Sequence, residues 1–288
     1  MRLLVTGANG QLGRALKEAL ADEDAPQAYL DYDADWIELP DLDISEARAV
    51  DAWFEVHGPY DVVFNCAAFT NVDGCETQFP TAFAANALGP MNLARACAAS
   101  GATFVHVSTD YVFPGSEPGE RTEEDVPAPI SGYGRSKLAG EGLARSMNPR
   151  THVVRTAWLY GDGKNFVRTM LGLAETHDEV TVVDDQLGNP TSARDLAREL
   201  LRIALSDSFG VWHCTNEGTC SWADLTQAAY EIAGLDCKVN RCSSADWKSM
   251  NPQSADRPAY SSLKNAHLEA TIGNHMRPWR EALEDYLQ

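Results

Sequence analysis

Positive charge is scarce in this chain: 23 lysines and arginines face 42 aspartates and glutamates, a formal net charge of −19 over 288 residues. A nucleic acid or an anionic membrane finds no broad basic face on such a sequence. Salt screens exposed charge beyond about 8 Å, so a phosphate could still be held, but only by donors placed beside it. Long apolar runs are missing too. None approaches the roughly 18–20 residues of a membrane span, and the first strand pattern begins at Arg2, which leaves no room for a signal peptide. The expected compartment is the cytoplasm. The seven cysteines are scattered and odd in number, and neither Cys214 with Cys220 nor Cys237 with Cys242 has the close spacing of zinc ligands. Cys66 and Cys97 fall on apolar faces and read as buried structural thiols. Internal repeats and low-complexity tracts are absent. What remains, 44% hydrophobic and 23% charged residues, is the composition of a globular protein of one domain or two.

Against that background Tyr133 and Lys137 stand out, four residues apart in Gly132-Tyr133-Gly134-Arg135-Ser136-Lys137. On a helix that spacing puts both side chains on one face. A cation beside a phenol favours phenolate and lowers its pKa from roughly 10, which suits a hydroxyl that must exchange a proton with a carbonyl or an alcohol. Upstream, Arg2–Thr6 is an apolar run suited to a buried parallel strand, and it leads into Gly7-Ala8-Asn9-Gly10-Gln11-Leu12-Gly13. A helical stripe of Leu12, Leu16, Ala19 and Leu20 follows. Glycines at 7, 10 and 13 permit a tight turn and close backbone approach, with amides at a helix N-terminus facing a pyrophosphate. Ala28–Asp31 reads as the next strand. Asp31 at its end would take the ribose hydroxyls of NAD and repel a 2′-phosphate, and no Lys or Arg lies between Lys17 and Arg48 to neutralise one. After the apolar strand beginning at Phe104, Ser108-Thr109-Asp110-Tyr111 puts hydroxyls at a strand's carboxyl end, where open α/β sheets bind ligands.

Strands are expected at Leu3–Thr6, Ala28–Asp31, Asp61–Asn65, Phe104–Ser108 and His152–Arg155, with helical stripes between them. This is an α/β pattern: a Rossmann-like doubly wound parallel sheet with a smaller C-terminal substrate-binding lobe. Residues 1–155 would form the dinucleotide-binding domain, with segments near 182–216 returning to it, and residues 156–288 mainly the substrate lobe. Pro114–Pro129, rich in Gly, Pro and acids, reads as a long loop of the kind that covers active sites. Ser192-x-x-Asp195 and Ser221-x-x-Asp224 resemble capping boxes.

Several segments together carry a resemblance, the stretches 108–115 and 185–191 being far more specific than the glycine turn. They are Thr6–Gly13, Asn65-Cys66-Ala67-Ala68-Phe69-Thr70-Asn71-Val72-Asp73, Ser108-Thr109-Asp110-Tyr111-Val112-Phe113-Pro114-Gly115, Tyr133–Glu141, Arg155–Tyr160, Asp185-Gln186-Leu187-Gly188-Asn189-Pro190-Thr191, and Arg257-Pro258 with Ser261-Ser262-Leu263. Over nearly the whole chain the sequence resembles the extended short-chain dehydrogenase/reductases and, more narrowly, the dTDP-4-dehydrorhamnose reductases. That resemblance implies NADPH- or NADH-dependent reduction of the 4-keto group of dTDP-4-dehydro-L-rhamnose, with a dTDP-linked sugar as partner. It implies Tyr133 as proton donor, Lys137 as its electrostatic partner and ribose ligand, and Thr109 orienting the keto oxygen with Ser108 and Tyr111 nearby. Gly7, Asn9, Gly10, Gln11 and Leu12 would hold the cofactor with Asp31; Asp43 and Ile44 would flank the adenine, and Ala67, Ala68 and Thr70 would line the nicotinamide path. Trp158 would stack on the sugar, a core aromatic being the alternative reading. Asn165, Arg257 and Ser261 would contact sugar or diphosphate, with a surface ion pair as the other reading of Arg257. Some members of the family dimerise through magnesium held by glutamates, one of them two residues past the last glycine of the turn. Ala15 stands there, so no metal site is expected and the state is a monomer or weak homodimer. Another nucleotide-sugar reductase or epimerase, or a non-catalytic dinucleotide-binding regulatory subunit, remains open at this point.

Overall fold

In the computed structural model, which describes residues 1–288, the run Arg2–Thr6 forms the buried strand β1. Helix α1 (Gln11–Ala21) packs Leu12, Leu16, Ala19 and Leu20 against Leu3 and Val5. The chain continues through β2 (Asp33–Ile37), α2 (Ala47–His57), β3 (Val62–Asn65), α3 (Val72–Thr77), α4 (Phe79–Phe83), α5 (Gly89–Ser100), β4 (Thr103–Thr109), α6 (Gly132–Met147) and β5 (Thr151–Thr156). A sixth strand, Gly210–His213, joins beside β5. The all-parallel order is then Gly210–His213, β5, β4, β3, β1, β2.

Both faces of this sheet are covered, as a parallel sheet requires. One apolar cluster joins it to α1 and to Leu196 and Leu200 of the helix Ala193–Ile203, the other to Val50 of α2 and Leu93 and Cys97 of α5. The strand order reverses between β1 and β3, so their carboxyl ends open a crevice, which is where doubly wound sheets bind ligands. The smaller C-terminal region packs helices Phe166–Ala174 and Trp222–Ala233 beside a parallel pair, Glu179–Val183 with Lys238–Cys242. No helix is long and apolar enough to cross a membrane. Cys97 is buried, whereas Cys66 is only half-buried.

Two local expectations need correction. Ala28–Asp31 is not a strand: Gln27–Tyr29 makes a 3-10 turn that buries Tyr29, whose hydroxyl donates to the Leu201 carbonyl at 3.0 Å. The strand begins at Asp33, at the sheet's edge, where Arg2 on β1 bridges Asp33 and Asp35 at 2.6 Å each. Such cross-strand ion pairs support an edge strand without the apolar pattern of a buried one. The Ser221 box forms, with Ser221 and Asp224 exchanging hydrogen bonds, but the Ser192 box does not. Asp195 instead pairs with Arg277 at 2.7 Å and accepts from the Asn216 amide at 2.7 Å.

Candidate active site

Gly7 sits at φ +67, and a Cβ on it would come within 2.8 Å of the Ala67 amide nitrogen; one on Gly13 would come within 2.4 Å of the Gly7 carbonyl. Only glycine lets the turn pass the loop after β3 while α1 settles back on it. The outcome is a groove of about 450 Å³ at the crevice, its walls including Gly7, Gly10, Asp43, Ile44, Ala67 and Ala68. The first helical hydrogen bond runs from the Arg14 amide to the Gly10 carbonyl at 3.1 Å, so α1 turns its N-terminal amides, and the positive end of its dipole, toward the groove. A glycine cradle, a helix N-terminus and an apolar slot fit a dinucleotide.

Asn9 is exposed at the turn, and Thr70 is exposed beyond the groove. Leu12 points into the core, while the Gln11 side chain lines a separate cleft beside Gly161. These two can offer the groove only backbone amides. Asp31 lies far from it, at the amino end of β2, where its carbonyl accepts from the terminal ammonium at 2.9 Å. The acid at the carboxyl end of β2 is Glu38, which lines the groove and accepts from the Asn9 amide. Displacing the strand in the sequence hid Glu38.

Tyr133 enters from α6. The Ser131 hydroxyl caps this helix, accepting from the Gly134 amide at 3.1 Å. At Gly134 a Cβ would come within 2.1 Å of the Tyr111 carbonyl. That close approach sets the Tyr133 ring edge-on to Tyr111, with centroids 5.8 Å apart. Thr109 ends β4; its hydroxyl donates to Asp110 Oδ1 at 2.9 Å, accepts from the Tyr111 amide at 3.2 Å and lies beside the Tyr133 phenol. Burial raises the Tyr133 pKa, the charge of Asp110 adds to the rise, and Thr109 opposes it. Lys137 donates to the Val107 carbonyl at 2.7 Å, and burial pushes its ammonium down to about 8 against the pull of Glu141. The spacing therefore brings Tyr133 and Lys137 onto one helix, but burial outweighs the expected depression of the phenol in the free protein.

A second cavity, about 390 Å³, adjoins Tyr111, with Val72, Phe166, Met170, Trp222 and Arg257 also in its wall. Arg257 lies beside Tyr111 in the cavity wall and pairs with Asp73 at 3.4 Å. The other expected substrate residues are committed elsewhere. Ser108 donates to Glu141 Oε1 at 2.6 Å, behind the site. Asn165 caps the helix Phe166–Ala174 and spends its amide on the Gly161 carbonyl at 2.7 Å and the Tyr286 hydroxyl at 3.0 Å. Ser261 is buried, and its hydroxyl donates to the Leu187 carbonyl at 3.4 Å. Trp158 stacks on Trp222 with centroids 3.6 Å apart, and Gly188 presses on its indole, where a Cβ would come within 2.5 Å. Its φ of 47 is a left-handed backbone that a bulky residue adopts only when its surroundings hold it. The aromatic exposed to the cavity is Trp222, the first residue after the Ser221 cap; the capping box located that helix start but not the face it turns to the cavity.

The family described as "RmlD substrate binding domain" matches residues 1–288. The dTDP-4-dehydrorhamnose reductase of Mycobacterium tuberculosis (strain ATCC 25618 / H37Rv) is 43% identical, over 98% of this chain and 91% of that protein. A crystal structure of a dTDP-4-dehydrorhamnose reductase from Clostridium acetobutylicum superposes with a TM-score of 0.93 at 44% identity, covering 100% of this chain and 98% of the other. A Bacillus anthracis dTDP-4-dehydrorhamnose reductase in complex with NADP gives 0.90 at 36% identity, covering 99% and 98%. With the groove, the Tyr133–Thr109 cluster and these full-length matches together, the chain belongs to the dTDP-4-dehydrorhamnose reductase family of extended short-chain dehydrogenase/reductases, nucleotide-sugar 4-ketoreductases that use a nicotinamide dinucleotide.

Proposed function

We propose that this chain reduces the 4-keto group of dTDP-4-dehydro-L-rhamnose to give dTDP-L-rhamnose, with NADH or NADPH as reductant. The observation that supports this best is the position of Tyr133. It packs on Tyr111, in the wall of the apolar cavity, while Lys137 one turn on acts electrostatically on Cys66, in the wall of the groove. An acid between two adjoining sites of these sizes suits a reaction between a dinucleotide and a second, partly apolar ligand.

In this reading Gly7, Gly10, Ala67, Ala68, Asp43 and Ile44 bind the dinucleotide, whose reduced nicotinamide supplies the hydride. Tyr133 gives its phenolic proton to the keto oxygen, and Thr109, beside that phenol, orients the keto oxygen. Lys137 holds a positive charge near the phenolate left behind and donates to the ribose. Arg257 grips the diphosphate, a planar fork matched to phosphate oxygens, and Trp222 offers a flat apolar wall. The domain reading follows: residues 1–155 carry the cofactor, with Gly210–His213 returning to their sheet, and residues 156–288 supply most of the substrate side. The test is oxidation of each nicotinamide cofactor with dTDP-4-dehydro-L-rhamnose, followed by its absorbance, with the product identified by NMR. Cofactor binding without turnover would overturn the proposal.

Glu38 is the residue suited to the adenosine ribose. Its carboxylate would accept from the ribose hydroxyls and repel a 2′-phosphate. Glu38→Ala should move the ratio of kcat/KM for NADPH over NADH upward by about tenfold, the scale of about 1.4 kcal/mol. An unchanged ratio would remove Glu38 from that role. Lys137 predicts a pH effect. Its folded-state pKa of about 8 means the free protein loses that charge as pH rises through this value. If the ammonium helps to hold the cofactor, binding should weaken progressively above about pH 8, and Lys137→Met should bind poorly with no such trend. Fluorescence titrations across that range decide it, and a flat wild-type profile would count against the assignment.

A further inference from the structure

Helix α3 begins at the cavity, which Val72 lines, and its second turn meets α6, which carries Tyr133. Asn71 caps it, accepting from the Gly74 amide at 2.9 Å. From its first turn, Asp73 Oδ1 accepts from the Ala255 amide at 2.8 Å and pairs with Arg257 at 3.4 Å. From its second, Glu76 Oε1 accepts from the Gly132 amide at 2.6 Å, at the start of α6, while Oε2 pairs with Arg135 at 3.5 Å. Three residues apart, the two carboxylates project from neighbouring positions on the helix surface. α3 and α6 meet so closely that a Cβ on Gly132 would come within 2.8 Å of the Cys75 carbonyl.

Both acids are partly exposed, Asp73 at 49% and Glu76 at 35% of the side chain. Ion pairs so placed contribute little to stability, but each carboxylate fixes a backbone amide next to a reacting group. We infer that Asp73 and Glu76 are positioning residues that lock the substrate side to the acid side of the site: Asp73 sets the 255–257 segment and Arg257 beside the cavity, and Glu76 sets the first turn of α6 and with it Tyr133. The inference rests on the proposed roles of Arg257 and Tyr133, and Val72, the residue before Asp73, lines the cavity itself.

Steady-state kinetics of the full chain test it. Asp73→Ala should raise KM for the nucleotide sugar about tenfold with kcat within about twofold, whereas Glu76→Ala should lower kcat about tenfold with KM within about twofold. Asp73→Asn and Glu76→Gln keep an acceptor for the Ala255 and Gly132 amides and should recover part of each loss. Parallel changes of kcat and KM in both alanine variants, or no recovery in the conservative ones, would overturn the inference in favour of general scaffolding. Arg257→Ala separates the two layers. If it leaves KM unchanged, the diphosphate role of Arg257 fails; if it raises KM while Asp73→Ala does not, the positioning role alone fails.

Discussion

Tyr133→Phe should lower turnover at least about a hundredfold, the usual scale of a lost general acid, while dinucleotide affinity stays within about twofold. The substitution removes one oxygen and leaves the ring in place against Tyr111, so the packing that positions α6 is retained. The lost atom is the one beside Thr109. The raised pKa of the phenol also makes a statement about direction. A phenol held above its ordinary value is protonated throughout the neutral range, the form a reductase needs to deliver a proton. In the reverse, oxidative direction the same residue would have to begin as phenolate, so wild-type oxidation of a nucleotide-linked alcohol should rise with pH more steeply than reduction falls. Substantial reduction by Tyr133→Phe would remove Tyr133 from the mechanism, whatever the cofactor.

Arg155→Met should cost about 3–5 kcal/mol of stability, the range for breaking a buried ion pair from one side. Arg155 and Glu141 are each 3% exposed; the guanidinium donates from Nε at 3.0 Å and from Nη2 at 2.7 Å to the two carboxylate oxygens. The Ser108 hydroxyl completes the set, and Phe113 lies under the guanidinium carbon at 5.1 Å from its centroid. Removing the cation strands a carboxylate with one remaining donor. The double variant Arg155→Met/Glu141→Met removes both charges and should regain much of the loss. Urea melts of wild type, the single variants and the double variant give the coupling directly; single and double variants of equal stability would show that the pair is not the source. Because Glu141 lies one turn beyond Lys137 on α6, the single variant should also lose activity below its melting point, through a loosened helix rather than a lost contact with substrate.

How legible was this site in the chain of letters? The parts made by backbone were the most legible. Gly7 and Gly13 announce a turn because no other residue tolerates those approaches, and Tyr133 with Lys137 announces a helix face. Side chains that read as ligand contacts fared differently. Asn165, Ser108 and Ser261 satisfy buried backbone or carboxylate groups near the site, and a hydrogen-bonding residue looks the same in a sequence whether it serves a ligand or the fold. Trp158 and Trp222 show the same ambiguity between stacked aromatics: the one in the recognisable motif is the inner of the pair, and the outer one follows an ordinary helix cap. Asp31 was misplaced for a different reason. The strand beside it is held at the sheet edge by charge and lacks an apolar run, whereas the apolar residues just before it belong to the buried turn around Tyr29.

The two margins of the sheet are guarded by different chemistry. β2 is five residues long and displays Asp33 and Asp35, and a short acidic margin discourages a neighbouring chain from adding a strand. On the far side, Cys214 donates inward to the Arg155 carbonyl at 2.9 Å, so the odd-numbered residues of Gly210–His213 turn their backbone groups outward. Two of those groups are already satisfied: the Val211 carbonyl bonds the His267 ring at 2.7 Å, and the His213 amide donates to Glu123 at 2.9 Å. The six-stranded sheet thus resists strand addition by charge at one rim and by prior occupancy at the other.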